Sequence, residues 1–500
     1  VNQDQRTTAA DDDRTDLDEV RSGVRQGLTW SLLGNAVLRL ATFATSLAMA
    51  RILDPADFGT YAIGLTYLQF AIICNDVGVT SALVQWRGPF AAIVPTARTL
   101  TFLTTGVITG LMLLASPGLA RFSENPAATP VLRVLALAVL LDGLMAVSTA
   151  SMWREFRQRE FMGASLAGVA AQAAVAVPVA LAGGGAMSFA LGMAADAVVR
   201  FVLVTVLARV SFRPGFDRGI ARRLVLFGIP LASGLAVQAV LLNVDYLVIS
   251  RTLDATSLGF YTLAFNISGW IPGVLGAALG TVTLAGFARL AEEGSAVLSE
   301  AARRAIVLLA KVLLPTAAVL AVCAPDVVRV AYGERWLPAA GALAWLAVYI
   351  LPRMVAQTAT ELLVAQGRTR LPVVANLCWL AALLPALILG TRWAGIDGAA
   401  VAQVIAGCLV ALPVLLVVLR RADIDLSGLF PALLRPALGI AAAVALGLLV
   451  ARIAAGWGPV PALLLTAATV AVVYGAFGLT RDDRQAFAAR LPSARTVVRR

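Results

Sequence analysis

Fourteen long apolar stretches follow one another through this chain with only short polar connections between them. They lie at about 28–50, 58–82, 92–116, 128–150, 162–182, 186–208, 224–250, 258–283, 303–325, 337–364, 370–390, 396–419, 430–451 and 459–479. A helix rises 1.5 Å per residue and the hydrocarbon layer of a bilayer is about 30 Å thick, so roughly twenty such residues are enough to cross it. The expected fold is an all-α polytopic membrane protein with about 14 transmembrane helices. Composition agrees: 59% of the 500 residues are hydrophobic, 14% are charged and the mean hydropathy is +0.84, more apolar surface than a soluble core could hide.

The stretches form two related sets. Arg51 to Tyr61 reads Arg-Ile-Leu-Asp-Pro-Ala-Asp-Phe-Gly-Thr-Tyr, and Arg251 to Tyr261 reads Arg-Thr-Leu-Asp-Ala-Thr-Ser-Leu-Gly-Phe-Tyr, with Arg, Leu, Asp, Gly and Tyr in register. Gly34 and Gly234 align at the same offset. The expected organisation is two pseudo-symmetric six-helix lobes, 28–208 and 224–419, joined by a basic cytoplasmic connector, 209–223. Two additional helices within 430–479 follow. A polar, acid-rich tail at 1–27 is expected to be disordered, and 480–500 forms a basic tail. Internal repeats facing a shared central site are a transporter architecture.

The net charge of +11 and pI near 10.3 would suit nucleic acid, but the basic residues are scattered over short loops rather than gathered into a patch, so no nucleic-acid partner is expected. Their distribution fits membrane topology instead. With the N-terminus inside, 26 of the 40 Lys and Arg fall on cytoplasmic segments and 7 on outer turns. Cytoplasmic retention of basic residues then predicts a multi-pass protein of the cytoplasmic membrane with both termini inside.

There is no histidine, which removes Ser-His-Asp catalysis, His-ligated zinc and imidazole proton relays. Cys74, Cys323, Cys378 and Cys408 are far apart and read as small core residues, so neither a metal centre nor a cofactor is expected. Ionisable side chains at bilayer depth are therefore the functional candidates. Arg39 lies about 17 Å into the first helix, Asp142 about 21 Å into the fourth, and Asp196 and Arg200 about 15 and 21 Å into the sixth. Asp196 and Arg200 share a helix face and can neutralise one another. The second half offers Asn243, Asp245, Asn266 and Arg353; Arg353 follows Pro352, where freed carbonyls could hold a cation or a sugar hydroxyl. Asp245, Lys311 and Arg98 sit near helix ends, within snorkelling reach of water. Gly276 and Gly280 have the spacing of a close helix contact.

Ala50-Arg-Ile-Leu-Asp-Pro-Ala-Asp-Phe-Gly-Thr-Tyr61, followed by Asp76-Val-Gly-Val-Thr-Ser-Ala-Leu-Val, resembles the polysaccharide-export flippases. These are the Wzx and WzxC-type members of the superfamily that also holds the lipid II flippase and the multidrug and toxin extruders. Phe227-Gly-Ile-Pro-Leu, Asn243-Val-Asp245, Leu258-Gly-Phe-Tyr-Thr-Leu-Ala and Gly395-Ile-Asp-Gly-Ala-Ala-Val-Ala are similar to the same family. The resemblance implies two six-helix lobes around a central cavity, moving a lipid-linked oligosaccharide across the bilayer by alternating access. H+ or Na+ is then the candidate coupling ion, and a polysaccharide polymerase and glycosyltransferases of the same pathway are the expected partners. It also sets Arg39 in a place similar to a cavity arginine of the lipid II flippase. The family's cavity is cationic, whereas the four mid-depth charges of the first lobe here sum to zero. The alternatives are a drug or cation antiporter of the same superfamily and a membrane glycan polymerase or ligase. That enzyme would need a sizeable outer loop, and no connection expected on the outer side exceeds about a dozen residues.

Overall fold

The computed structural model describes residues 34–76, 79–86, 88–210, 213–292, 294–368, 370–480 and 483. The expected tails at 1–27 and beyond 483, and the side chains of the Gly276/Gly280 contact, lie outside the described residues. Among the described residues all regular structure is helical. The helices are α1 (34–52), α2 (Pro55–Asp76), α3 (Val79–Gln85), α4 (Phe90–Phe122), α5 (Ala128–Arg154), α6 (Gln158–Leu181), α7 (Ala186–Ala208) and α8 (Arg218–Thr252). They continue with α9 (Ala255–Glu292), α10 (Ser295–Val322), α11 (Ala324–Ala331), α12 (Ala339–Ala365), α13 (Arg370–Ala406), α14 (Leu412–Arg421), α15 (Leu429–Ala454) and α16 (Pro459–Phe477). Among the described residues nine helical segments, with Arg370–Arg421 counted as one, are long and apolar enough to span a membrane by length and composition. The chain divides into two compact units, Val1–Arg251 and Thr252–Arg500, at the second copy of the repeated turn.

That turn is a helix start in both copies, and each copy shows one half of a capping box. The Asp54 N–H donates to the Asp57 carboxylate at 3.4 Å, and the Ser257 N–H donates to the Asp254 carboxylate at 2.8 Å. The hydrogen bond from Ser257 holds the Asp254 carboxyl below the ordinary aspartate range. Asp57 does more than its counterpart Ser257, since its Oδ1 also accepts the Ala186 N–H at 3.1 Å and so caps α7. Phe58 and Tyr61 then lock α2 onto α7 through Phe189. Phe58 meets it edge-on at 4.8 Å, and Tyr61 stacks on it at 4.4 Å.

Within each unit one helix is central. In the first unit α5 packs against α2, α3, α4 and α7; in the second α12 packs against α9, α10 and α13. Both are 27 residues long and are the most buried of the candidate spans, at 56% and 61% of their apolar windows. Small residues bring neighbouring backbones together where helices pair as hairpins. A Cβ on Gly192 would sit 2.9 Å from the Gln172 carbonyl oxygen, which fixes how tightly α7 lies on α6.

The run at 370–421 breaks where the sequence predicts a turn. Ala394 and Gly395 leave helical geometry, Gly395 at φ +57°, and the chain reverses so that Gly390 and Gly398 meet backbone to backbone. Only glycine adopts such a φ without strain. After the reversal the helix loosens into a π-helical segment, Gly407–Ala411, directly before Pro413. Proline has no N–H to continue the regular ladder, and the wider turn absorbs the missing bond. The connection between α10 and α12 is itself ordered. It forms α11 and a short turn, Glu334–Trp336, whose Trp336 is fully buried and meets Phe260 edge-on at 6.0 Å.

The last two spans, α15 and α16, cover the face of α10 through Ala318, Ala443, Val470 and Tyr474. Lys311, the only lysine of the chain, completes this contact. Its Nζ donates to both oxygens of Asp483 at 2.7 and 2.8 Å, and Asp483 also accepts from the Thr480 hydroxyl at 2.6 Å. Instead of reaching for water, Lys311 is 17% exposed in an ion pair with a residue 172 positions away. Burial pushes the Asp483 carboxyl up, but the bonds from Lys311 and Thr480 outweigh it and hold the group below its ordinary value. A depressed carboxyl contributes stability in full above its unfolded pKa and loses it as pH falls through its folded pKa. Lys311→Met is therefore expected to destabilise the second unit by about 3 kcal/mol near neutral pH, because it orphans Asp483. Lys311→Met with Asp483→Leu should recover most of the loss. Melting in detergent checks this: the single variant's deficit should shrink below the ordinary aspartate range, where Asp483 is protonated.

Candidate functional site

In the first unit α6 receives both α1 and the Asp196–Arg200 pair of α7. Gly34 of α1 sits against Met162, whose Cγ would be 2.8 Å from an added Cβ. Gly168, further along α6, makes room for α7, since a Cβ there would lie 2.2 Å from Asp196 Oδ1 and 2.7 Å from Arg200 Cγ. Asp196 Oδ2 accepts from Arg200 Nε at 3.0 Å and Nη2 at 2.9 Å, a two-point contact one turn apart. Asp196 is 7% exposed and the Arg200 side chain 28%. The pair is neutral, and its guanidinium edge is the more accessible part.

Arg39 is differently placed. It is half-buried in α1, and its Nε is buried without a hydrogen-bond partner among the described residues. Of the two carboxylates at a similar depth, Asp142 and Asp196, that could serve as its counter-ion, Asp196 is held by Arg200. Alternate spans run antiparallel, so α1 and α6, the first and fifth, run the same way. From the Gly34 and Met162 contact, Arg39 lies about 7.5 Å and Gly168 about 9 Å further along. Arg39 and the Asp196–Arg200 pair thus share a depth.

Asp142 is half-buried on α5 beside Gly143. A Cβ on Gly143 would come within 2.0 Å of Thr105 Oγ1 and 2.3 Å of Asn75 Nδ2. The gap holds a buried polar link, in which the Thr105 hydroxyl donates to Asn75 Oδ1 at 2.6 Å and Asn75 Nδ2 donates to the Val139 carbonyl at 3.2 Å. Asn243 on α8 bonds locally, Nδ2 to the Ala239 carbonyl at 2.9 Å. Asp245 and Arg98 do not snorkel. Both are fully buried, and Asp245 Oδ1 accepts the Tyr246 N–H at 3.0 Å. Of the cysteines expected in the core, Cys74 and Cys378 are exposed, a thiol being apolar enough to face lipid.

The second unit carries its candidates on α9 and α12. Arg353 lays its guanidinium over the Phe265 ring, 5.3 Å from the centroid, and Asn266, the next residue after Phe265, is exposed. Pro352 precedes it, and the π-helical segment packs close to it, since a Cβ added at Gly407 would lie 3.2 Å from the Tyr349 ring and 3.4 Å from Pro352 Cβ. Along α12, Arg353, Gln357 and Glu361 follow at helical spacing, with Gln357 Nε2 donating to Glu361 Oε1 at 3.2 Å. A reading that ranks charged residues passes over Gln357, Asn75 and Thr105. The signal for Gln357 is its place one turn from Arg353 inside an apolar run.

A family profile described as polysaccharide biosynthesis protein matches residues 48–341, which take in both copies of the repeated turn. The lipopolysaccharide biosynthesis protein WzxC of Escherichia coli is 24% identical over 384 residues, covering 76% of this chain and 77% of that one. The succinoglycan biosynthesis transport protein ExoT of Rhizobium meliloti is 28% identical over 264 residues, 52% of this chain and 53% of that one. Among solved structures, the lipid II flippase MurJ in an inward closed conformation superposes with a TM-score of 0.69 at 14% identity, covering 88% of this chain and 97% of that one. At that identity the superposition speaks for the fold.

Proposed function

We propose a function from one premise: the chain belongs to the polysaccharide biosynthesis protein family. It moves a polyprenyl-pyrophosphate-linked oligosaccharide, the repeat unit of a cell-surface polysaccharide, from the inner to the outer leaflet of the cytoplasmic membrane by alternating access. It acts as a transporter and not as an enzyme, with H+ or Na+ as the coupling ion and the polymerase and glycosyltransferases of the same pathway as neighbours. The observation that carries this reading is Arg39. A guanidinium at mid-depth whose Nε is buried with no acceptor among the described residues is suited to an anion arriving from outside the fold. A pyrophosphate offers paired oxygens that match its two parallel donors. The similarity to a lipopolysaccharide biosynthesis protein, WzxC, and to a succinoglycan biosynthesis transport protein, ExoT, supports the same substrate class.

Purified protein in liposomes holding a polyprenyl-pyrophosphate disaccharide tests it, read by how fast an external glycosidase gains access to the inner-leaflet pool. Protein should empty that pool, and a rate equal to that of empty liposomes overturns the proposal. Topology is tested separately, in a variant whose four native cysteines are replaced. Ala56→Cys, in the exposed first turn of α2, should react with an impermeant maleimide on intact cells. Phe216→Cys, exposed in the connector, should react only after permeabilisation. Labelling of position 216 from outside would reverse the orientation.

A further inference from the structure

The polar stripe on α12 is out of place in a membrane helix. Gln357 is exposed, Arg353 and Glu361 are half-buried, and Asn266, next in sequence to the Phe265 that Arg353 covers, is exposed on the neighbouring α9. Counting from the inner end of α12 at Ala365, Glu361 lies about 6 Å, Gln357 about 12 Å and Arg353 about 18 Å into the layer. An exposed amide or charged group at such depth is not stable against hydrocarbon, so the face that carries these groups must be wet. It runs from the cytoplasmic edge to mid-depth, the half through which a head group made in the cytoplasm enters.

The chemistry of the stripe differs from that at Arg39. Arg353 is stacked on Phe265 and its charge is balanced along the stripe by Glu361, while Gln357 and Asn266 add amides that both donate and accept. Carboxylate and amide oxygens accept from hydroxyls, amide N–H groups donate to ring and hydroxyl oxygens, and the net charge is zero. Such a surface suits many hydroxyls and disfavours an added anion, which would meet Glu361.

Resting on the flippase reading above, we infer that Gln357 and Glu361, with Arg353 and Asn266, form the sugar-recognising face of the translocation path, selective for an uncharged glycan. The pyrophosphate is held elsewhere, so lipid carrier and sugar are read by separate groups.

The test measures binding to the full-length protein in detergent by native mass spectrometry, with three lipids: sugar-free polyprenyl pyrophosphate, the same carrier bearing a neutral disaccharide, and the same carrier bearing a disaccharide with one uronic acid. Wild type should bind the neutral glycolipid most tightly. Gln357→Ala should weaken that binding about tenfold, the loss of one or two hydrogen bonds, and leave the sugar-free carrier unchanged. Glu361→Gln should narrow the gap between neutral and acidic glycolipids about tenfold. Gln357 is exposed, so its loss is not expected to disturb folding, and equal melting temperatures verify that. If both variants keep the wild-type order and spacing of the three lipids, the sugar-reading role is overturned. If wild type binds none of the three, the flippase reading itself fails, which is a different result.

Discussion

Arg39→Ala is expected to reduce flipping at least about a hundredfold while leaving the protein in the membrane at near wild-type amount. The size follows from two charge-assisted hydrogen bonds to phosphate, each worth about 1.5–3 kcal/mol, where 1.4 kcal/mol is a factor of ten. The folded state should suffer little, because the buried Nε has no protein partner to orphan among the described residues. Arg39→Lys keeps the charge but loses the planar fork, and should retain a small fraction of the rate. The opposing account makes Arg39 a structural counter-ion. Asp196 is held by Arg200 at two points, so Asp196→Ala should not rescue Arg39→Ala. Asp142→Ala is the decisive partner: if Arg39→Ala with Asp142→Ala restores both protein level and flipping, Arg39 belongs to the scaffold and not to the substrate path. The liposome assay, scored beside yield, separates these results.

Gly398→Ala is expected to have the largest effect on folding. The new Cβ would lie 1.9 Å from the Gly390 carbonyl oxygen and 2.6 Å from its carbon, and both are backbone. No side chain can swing aside, so the two helices flanking Gly395 must separate. Overpacking that forces backbone movement costs about 3 kcal/mol or more, a large part of a domain's total stability. Gly475→Ala on α16 is the control, since a Cβ there meets nothing within 4 Å and alanine favours the helix. Size-exclusion profiles of the two variants from equal cell mass should show a monodisperse peak for Gly475→Ala and little folded protein for Gly398→Ala.

Hydropathy alone pointed to an all-helical fold of long apolar helices, since length and apolarity are local properties of the chain. It even separated 370–390 from 396–419, where the helix is continuous apart from Ala394 and Gly395. The repeated turn was equally legible, and its Asp54 and Asp254 are helix caps, again a local property. What the sequence could not show was who meets whom. Lys311 read as a snorkelling residue because Asp483 is 172 positions away. Arg98 and Asp245 read as reaching water because distance along a helix says nothing about the neighbours that surround it; both are fully buried. Asp196 with Arg200 was visible because helical spacing makes a pair one turn apart local. Gln357 was hidden for a different reason: an uncharged polar residue stands out only once its neighbours on the same face are known.

The π-helical segment at Gly407–Ala411 lies against Pro352, and each breaks the regular hydrogen-bond ladder of its own helix at nearly the same depth. Kinks concentrate at such breaks, whereas intact helix bends only gently. The second unit therefore has a soft band across its middle, bounded above and below by stiffer rods. Elastic strain collects where stiffness is lowest, so a torque applied at either membrane surface would be taken up as rotation about this band. Arg353 is attached at the band itself, next to Pro352, and would change its angle to the bilayer normal while the helix ends stay anchored in their interfaces.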